Sequence, residues 1–158
     1  MAHSAAMREA IGMPSGTSPW TSDPHMSLGG VPRSDRVLEL INIAYFDATR
    51  RVPDADKRSH VEKLKVDISQ DVSRKPWSFN FKTFTTSAEI YSFGMDRVFL
   101  EEEKFFMMGF PKTTRFEGMS SSMLRDLCGD AMALPSVTSV TLSTLLVMRY
   151  PNLWQSPP

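Results

Sequence analysis

The sequence has little cysteine, little histidine and no excess of charge of either sign. Its 158 residues carry 18 basic and 18 acidic side chains, so the formal net charge is zero. This balance argues against a strongly basic nucleic-acid-binding protein and against an acidic solvating tail. The single cysteine, Cys128, excludes an intramolecular disulfide and a multi-cysteine metal site. The three histidines, His3, His25 and His60, are too scattered in sequence to predict a metal site.

Long apolar runs are also missing. The longest apolar-rich stretch, 137–148, is interrupted by threonine and serine, and it is shorter than the roughly 20 residues that a transmembrane helix needs. The first residues lack the apolar core of a secretory signal. We therefore predict a soluble, intracellular protein with no membrane partner, of a length that suits one domain of ordinary size.

The first 34 residues have the composition of a flexible segment. They are rich in serine, proline, glycine and threonine, and their few apolar residues follow no period. Burial of so few apolar groups does not offset the cost of ordering the backbone, about 1–2 kcal/mol per residue. We predict that residues 1–34 form a disordered tail in which Trp20 is solvated, with docking of Trp20 as a lone anchor as the alternative.

Regular periodicity begins after this segment. Apolar residues at helical spacing predict a helix over 35–50, which Ser34 or Asp35 is suited to cap. Alternation of apolar and polar residues over 64–68 predicts a half-buried strand. The aromatic and β-branched content of 79–93 favours extended structure.

The C-terminal third predicts three helices. The first spans 100–108; Gly109 is placed to end it in a left-handed conformation, and Pro111 prevents its resumption. The second spans 120–127 after a serine cap. The third spans 135–149 and begins with a proline in its first turn.

Constellations of catalytic residues are scarce in this sequence. Gly29-Gly30 has no preceding strand and no Lys-Ser/Thr partner, so it does not predict a phosphate-binding loop, and no serine lies in a nucleophile-elbow context. The carboxylates of Glu101–Glu103 point in different directions on a helix, which indicates a solvated helix start. Cys128 lacks an identifiable base and is interpreted as a small buried hydrophobe. We predict no catalytic residue.

One long sequence pattern is more informative than these single residues and short motifs. Arg97-Val-Phe-Leu-Glu-Glu-Glu-Lys-Phe-Phe-Met-Met-Gly-Phe-Pro resembles the ninth conserved block of the cytosine-5 DNA methyltransferases. Eighteen residues past Pro111, Gly129-Asp-Ala-Met-Ala-Leu-Pro-Ser-Val resembles the tenth block, a Gly-Asn turn followed by an apolar helix. Upstream, 67–70 and 83–87 are similar to the segment that links the family's target-recognition region to its ninth block. The resemblance covers roughly 64–149.

This resemblance implies an α/β fold: the C-terminal fragment of a Rossmann-like S-adenosylmethionine-dependent methyltransferase domain, with mixed helices and short strands. After the tail, residues 35–96 would be the remnant of a target-recognition region. Residues 97–150 would hold the C-terminal methyltransferase motifs, and 151–158 would be a second tail.

The resemblance also implies roles for individual residues. Asp130, Ala131 and Met132 would line the S-adenosylmethionine pocket, while Thr83 and Thr85 would lie near the DNA backbone, where hydroxyls bond phosphate oxygens. Structural roles are implied for Arg97, Glu103, Gly109, Phe110, Pro111 and Gly129. Among these, we expect Glu103 to face Arg97 and to accept a charge-assisted hydrogen bond from it.

The sequence departs from the family pattern in its tenth block and in the motifs that it lacks. The family's asparagine in the tenth block is Asp130 here, and an ionised carboxylate cannot donate a hydrogen bond. The family's Phe-x-Gly-x-Gly loop, Pro-Cys nucleophile and Glu-Asn-Val acid do not occur in these 158 residues. We therefore expect the chain to be inactive alone, with DNA as one partner. Two explanations stay open: a truncated gene product, or one half of a split enzyme whose partner chain carries the nucleophile. The nucleus is a compartment that suits this role.

A protein of another class remains an alternative: a non-enzymatic protein-interaction module of small α+β type. The zero net charge and the amphipathic helices at 35–50 and 135–149 motivate it, because their apolar faces lack enough partners within a short chain. The methyltransferase resemblance predicts a turn at 129–130 and exposed apolar surface. A closed bundle with a complete core would favour the interaction module.

Overall fold

The computed structural model describes residues 2–80, 84–131 and 134–149. The chain divides into two compact units between Phe99 and Leu100. This division falls three residues after the predicted boundary between 96 and 97. Residues 151–158, the predicted second tail, lie outside the described ranges.

The first unit contains three α-helices, two 3-10 helices and four short strands among its described residues. In chain order these are α1 (Ala2–Ile11), α2 (Asp35–Thr49), a 3-10 helix (Asp54–Asp56), α3 (Lys57–Val61), β1 (Lys65–Asp67), a second 3-10 helix (Val72–Arg74), β2 (Trp77–Ser78), β3 (Ile90–Ser92) and β4 (Arg97–Val98). The strands form one sheet in the order β2-β1-β3-β4.

The helix predicted over 35–50 is confirmed as α2. Its helical spacing places Val37, Leu40, Ile41 and Ala44 on one buried face, and burial of each large aliphatic side chain stabilises the fold by about 1.5–3 kcal/mol. Ser34 occupies the N-cap position with an extended backbone, but its side chain makes no cap hydrogen bond. The helix is therefore held by its buried face rather than by its cap.

The half-buried strand predicted over 64–68 is also confirmed. Leu64, Val66 and Ile68 are buried while the residues between them are half-buried. Val66 pairs with Trp77 of β2 on one side and with Tyr91 of β3 on the other. Within the described part of the extended stretch predicted over 79–93, only Ile90–Ser92 forms a strand.

All three strand pairings in this sheet are antiparallel. The predicted mixture of helices and short strands is thus confirmed. The described residues do not include a parallel sheet of the Rossmann kind.

The prediction that residues 1–34 form a disordered tail is wrong. The segment begins with α1, and Ile11, Met13, Trp20, Leu28 and Val31 all belong to the buried core of the first unit. Isolated apolar residues with no period can still be buried one by one when each meets a partner from a distant part of the chain. Composition alone does not reveal such partners.

Hydrogen bonds fasten this N-terminal segment to the rest of the first unit. The backbone N–H groups of Trp20 and Thr21 donate to Oδ1 of the buried Asn42, each at 3.0 Å. The carboxylate of Asp96 accepts from the backbone N–H groups of Ser27 and Leu28. These bonds satisfy polar groups that would otherwise make burial of the segment costly.

The second unit contains three further helices, α4 (Glu101–Met107), α5 (Ser121–Asp130) and α6 (Leu134–Arg149), and the predictions at 100–108, 120–127 and 135–149 are confirmed. Ser120 caps α5, because its hydroxyl oxygen accepts from the N–H of Met123. No described helix of either unit has both the length and the hydropathy needed to cross a membrane.

The prediction of a turn at 129–130 is wrong, because the helix continues through these residues. Gly129 and Asp130 are the last two residues of α5, and Ala131 follows in an extended conformation with φ −74° and ψ 143°. Burial of Leu124 and Cys128, one helical turn apart, favours continuation of the helix. This burial outweighs the penalty of about 1 kcal/mol for a glycine within a helix.

Candidate functional site

The predicted site residues fall into both units. Thr85 and Arg97 belong to the first unit. The second unit contains the predicted residues Glu103, Gly109, Phe110, Pro111, Gly129, Asp130 and Ala131. Thr83 and Met132 lie outside the described residues, so their assigned roles stay predictions.

Thr85 lies at the edge of a cavity of about 280 Å³ in the first unit. The side chains of Pro76, Phe84 and Ile90 contribute its apolar wall. The polar lining residues are Lys65, Asp67, Gln70, Arg74, Ser78, Asn80 and Thr85. The cavity thus combines an apolar wall with seven polar residues, the two kinds of group that bind and orient a ligand in small-molecule sites.

The hydroxyl of Thr85 is accessible at this cavity. The residue is exposed, and its Oγ1 lies 3.5 Å from the Oγ of Ser87. Its backbone carbonyl accepts from the N–H of Ala88 at 3.0 Å, which closes the turn. The chain therefore turns at 86–87, and Thr85 remains at the surface.

Two cationic residues, Lys65 and Arg74, line the cavity, and the carboxylate of Asp67 there already accepts hydrogen bonds. Burial, together with the nearby charge of Lys63, lowers the pKa of Lys65 from its ordinary value. Arg74 is exposed, and its guanidinium donates a long 3.4 Å hydrogen bond to Oε1 of Gln70. Oδ1 of Asp67 accepts from the N–H and hydroxyl of Ser69 and from the N–H of Glu89.

Arg97 and Glu103 each have a local structural contact. The guanidinium of Arg97 donates to the backbone carbonyl of Val98 at 3.1 Å, and Arg97 forms a parallel bridge with Gly29. Glu103 accepts from the backbone N–H of Leu100 at 2.8 Å, which caps the start of α4. The two residues belong to different units, and their expected charge-assisted hydrogen bond stays a prediction.

Gly109 ends α4 as predicted, with φ +92°. The N–H of Phe110 donates to the carbonyl of Phe105, and the N–H of Gly109 donates to that of Phe106, both at 3.1 Å. This is the Schellman pattern, in which an apolar contact often joins the two outer residues. Here the rings of Phe105 and Phe110 meet edge to face, 5.3 Å between centroids.

The structure also shows a charge cluster that the sequence interpretation missed. Glu101, expected to be solvated, has a side chain only 11% exposed and binds two cations. Its Oε2 lies 2.7 Å from Nζ of Lys104, and its Oε1 lies 3.3 Å from Nε of Arg125. The spacing of Glu101 and Lys104 by three residues on one helix was the available signal.

Asp130 and Ala131 lie at the C-terminal end of α5. Asp130 is exposed and Ala131 is half-buried. The last carbonyls of a helix give this end a partial negative charge, to which the Asp130 carboxylate adds. The C-terminal end of α5 therefore carries concentrated negative charge.

The most unusual surface of the second unit is α6. Every residue from 136 to 146 is exposed, and Val140, Leu145 and Met148 are 68%, 57% and 75% exposed. Apart from a stripe of serines at 136, 139 and 143, apolar and threonine side chains surround the helix. A helix that is apolar around most of its circumference is typical of one that is buried in a larger assembly.

Cys128 is buried, 1% exposed, and burial raises the pKa of its thiol. A thiol that is neutral and inaccessible reacts slowly with electrophiles. We expect a thiol reagent at neutral pH to modify the folded protein at least about tenfold more slowly than the urea-unfolded protein, measured by mass spectrometry. Equal rates in the two states would contradict the structural role given to Cys128.

Compared with protein-family models, with curated proteins and with solved structures, the chain gives no match.

Proposed function

We propose that this chain is the C-terminal portion of a cytosine-5 DNA methyltransferase-like protein, whose Rossmann-like sheet and nucleophile belong to another polypeptide segment. The exposed apolar helix α6 is the observation that carries the proposal. It begins within the segment that resembles the tenth block, in which the family has a turn followed by an apolar helix. Such a surface is stabilised when a further layer of protein covers it.

In this proposal the chain contributes binding groups and no catalytic residue. S-adenosylmethionine, when bound, supplies the methyl group as an electrophile on a sulfonium. The carboxylate of Asp130 would accept hydrogen bonds from its amine or ribose hydroxyls, with Ala131 beside it. Thr85 would donate to a DNA phosphate oxygen. Because Asp130 replaces an asparagine of the family, the hydrogen bonds that an amide donates are lost.

The test of this function starts from the coding sequence upstream. We expect an in-frame Pro-Cys pair there, or a co-purifying chain that carries one. The reconstituted protein should transfer a labelled methyl group from S-adenosylmethionine to cytosine in DNA, and replacing the cysteine of that pair by serine should abolish transfer. The chain alone should transfer none. Absence of any such partner segment, or robust transfer by the chain alone, would refute the proposal.

Exposure of α6 leads to a prediction about solution behaviour. We expect the isolated chain to self-associate, and we expect the triple variant V140Q/L145Q/M148Q to shift it toward monomer, because contiguous exposed apolar surface drives association. Sedimentation velocity measures the shift. The variant S136Q/S143Q on the serine stripe is the matched control and should leave association unchanged. A monodisperse wild-type monomer would contradict the prediction.

A second candidate is a protein-interaction module of small α+β type. The observation that favours it is the core of the first unit, to which residues from α1 through β3 contribute. This unit closes around its own apolar residues, as an independent module does. Two results together would favour this candidate. A defined partner protein would bind through α6, and S-adenosylmethionine would not crosslink to Asp130 or its neighbours in that complex.

A further inference from the structure

We propose that the cavity of about 280 Å³ beside β1 and β3 is a binding site for a single nucleotide unit, with its base against the apolar wall and its phosphate at Lys65 and Arg74, the two cations that line it. The inference goes beyond the proposed methyltransferase role, because it rests on the cavity residues of the first unit alone.

The apolar wall suits a planar ring. Phe84 is 8% exposed and is therefore firmly packed, and Pro76 is also buried. With the half-buried Ile90 they present aromatic and aliphatic carbon to the cavity. Stacking or packing of a base on such groups is favourable and tolerates any base, because every base has an apolar face.

The amides at the cavity favour a base over a simple aromatic ring. Gln70 and Asn80 each carry both a donor and an acceptor, which matches the mixed donor and acceptor edges of bases. Asn80 is exposed, and the hydroxyl of Ser78 holds its backbone by accepting from the Asn80 N–H at 3.1 Å. Gln70 already donates to the Ser69 hydroxyl and accepts from Arg74, both through long contacts. A hydrocarbon ligand would shield the exposed Asn80 amide from water without replacing its hydrogen bonds, whereas a base can replace them.

The cations favour an anionic group on the same ligand. The Arg74 guanidinium can present a fork of donors to a phosphate, and the Thr85 hydroxyl lines the same cavity. A phosphate would also favour the charged form of Lys65, whose pKa burial and Lys63 lower. Asp67 lines the cavity too, but its Oδ1 already accepts three hydrogen bonds from the turn and from Glu89.

The size of the cavity limits the ligand. Pockets for drug-sized ligands run from about 300 to 1,000 Å³, and the volume of this cavity is just below that range. The volume therefore suits one nucleotide unit better than a dinucleotide cofactor.

Calorimetric titration of the full chain tests the proposal, with the four deoxynucleoside monophosphates, the corresponding nucleosides and inorganic phosphate as separate ligands. We expect at least one monophosphate to bind more tightly than its nucleoside and more tightly than phosphate alone. Arg74→Ala should weaken monophosphate binding by about tenfold, the effect of losing one hydrogen bond to a charged group, and should leave nucleoside binding unchanged. Asn80→Ala should weaken both.

Two further variants make the result decisive. Arg51→Ala removes an exposed arginine that does not line the cavity and should leave binding unchanged. Phe84→Leu keeps an apolar side chain, removes the aromatic ring and should weaken nucleoside binding, with thermal melting as the check on folding. Any one of three results would overturn the proposal. The first is that no monophosphate binds at millimolar concentration, and the second is that inorganic phosphate binds as tightly as the monophosphates. The third is that Arg51→Ala and Arg74→Ala weaken binding equally. Methyl transfer by the reconstituted protein is a separate readout, so failure here is distinguishable from failure of the proposed function.

Discussion

Trp20→Ala is expected to lower the free energy of unfolding of the first unit by about 3–5 kcal/mol, the usual cost of removing a buried tryptophan. Trp20 is 3% exposed. Its ring lies 5.1 Å from that of Tyr45 and 5.0 Å from that of Phe93. Its Nε1–H donates to the hydroxyl of Tyr91 at 2.8 Å. Alanine removes all three contacts and leaves a cavity.

The loss is measured by urea denaturation followed by far-ultraviolet circular dichroism, which does not depend on the removed fluorophore. Phe79→Ala is the matched control, because Phe79 is also aromatic but is 41% exposed. Its expected cost is below about 1 kcal/mol, as for surface substitutions in general. Equal effects of the two variants would mean that Trp20 does not anchor the N-terminal segment, and that residues 2–34 are not part of the folded unit.

The second large effect is expected at Glu101. Its side chain is 11% exposed and lies between Lys104, whose side chain is 2% exposed, and Arg125. Removing one partner of a buried ion pair leaves a buried charge and typically costs about 3–5 kcal/mol. Glu101→Ala should therefore destabilise the second unit by about 3 kcal/mol or more, as measured by hydrogen exchange of α4 and α5.

Three comparisons isolate this effect. Glu102→Ala, at the next position of α4, keeps both contacts of Glu101 and should cost little. Arg125→Ala should cost less than about 1 kcal/mol, because its side chain is 41% exposed and water screens the pair. The double variant E101L/K104M should recover part of the loss, since apolar residues can replace a buried ion pair. Equal exchange rates in Glu101→Ala and Glu102→Ala would contradict the assigned role.

Helices were the most predictable elements of this fold. The helix α2 follows from apolar residues at helical spacing, and the end of α4 follows from Gly109, whose positive φ a glycine adopts without strain. The Ser120 cap and the strand at β1 were predictable for the same reason, because each depends on residues only a few positions apart. The extension of α5 through Gly129 was not predicted, because burial of Cys128 outweighed the local preference of glycine for a turn.

The candidate site was less predictable than the fold elements. Thr85 was assigned to the DNA backbone from resemblance, and the structure adds a cavity at that position that no local pattern indicates. Its lining combines residues from β1, the 3-10 helix at Val72–Arg74, the residues after β2, and β3. Which of these side chains converge depends on strand pairing, and pairing is a long-range property of the sheet.

The amino-acid sequence by itself determined where α2, α4 and α6 begin and end, because capping, glycine stops and apolar periodicity act over a few residues. Only the tertiary structure decided that residues 2–34 are ordered and that Glu101 is enclosed by two cations. Trp20 reaches partners 22 and 71 positions away, and Glu101 reaches Arg125 across 24. The free energy of such contacts depends on which distant residues the fold brings together, and that information is not present in any short window of the chain.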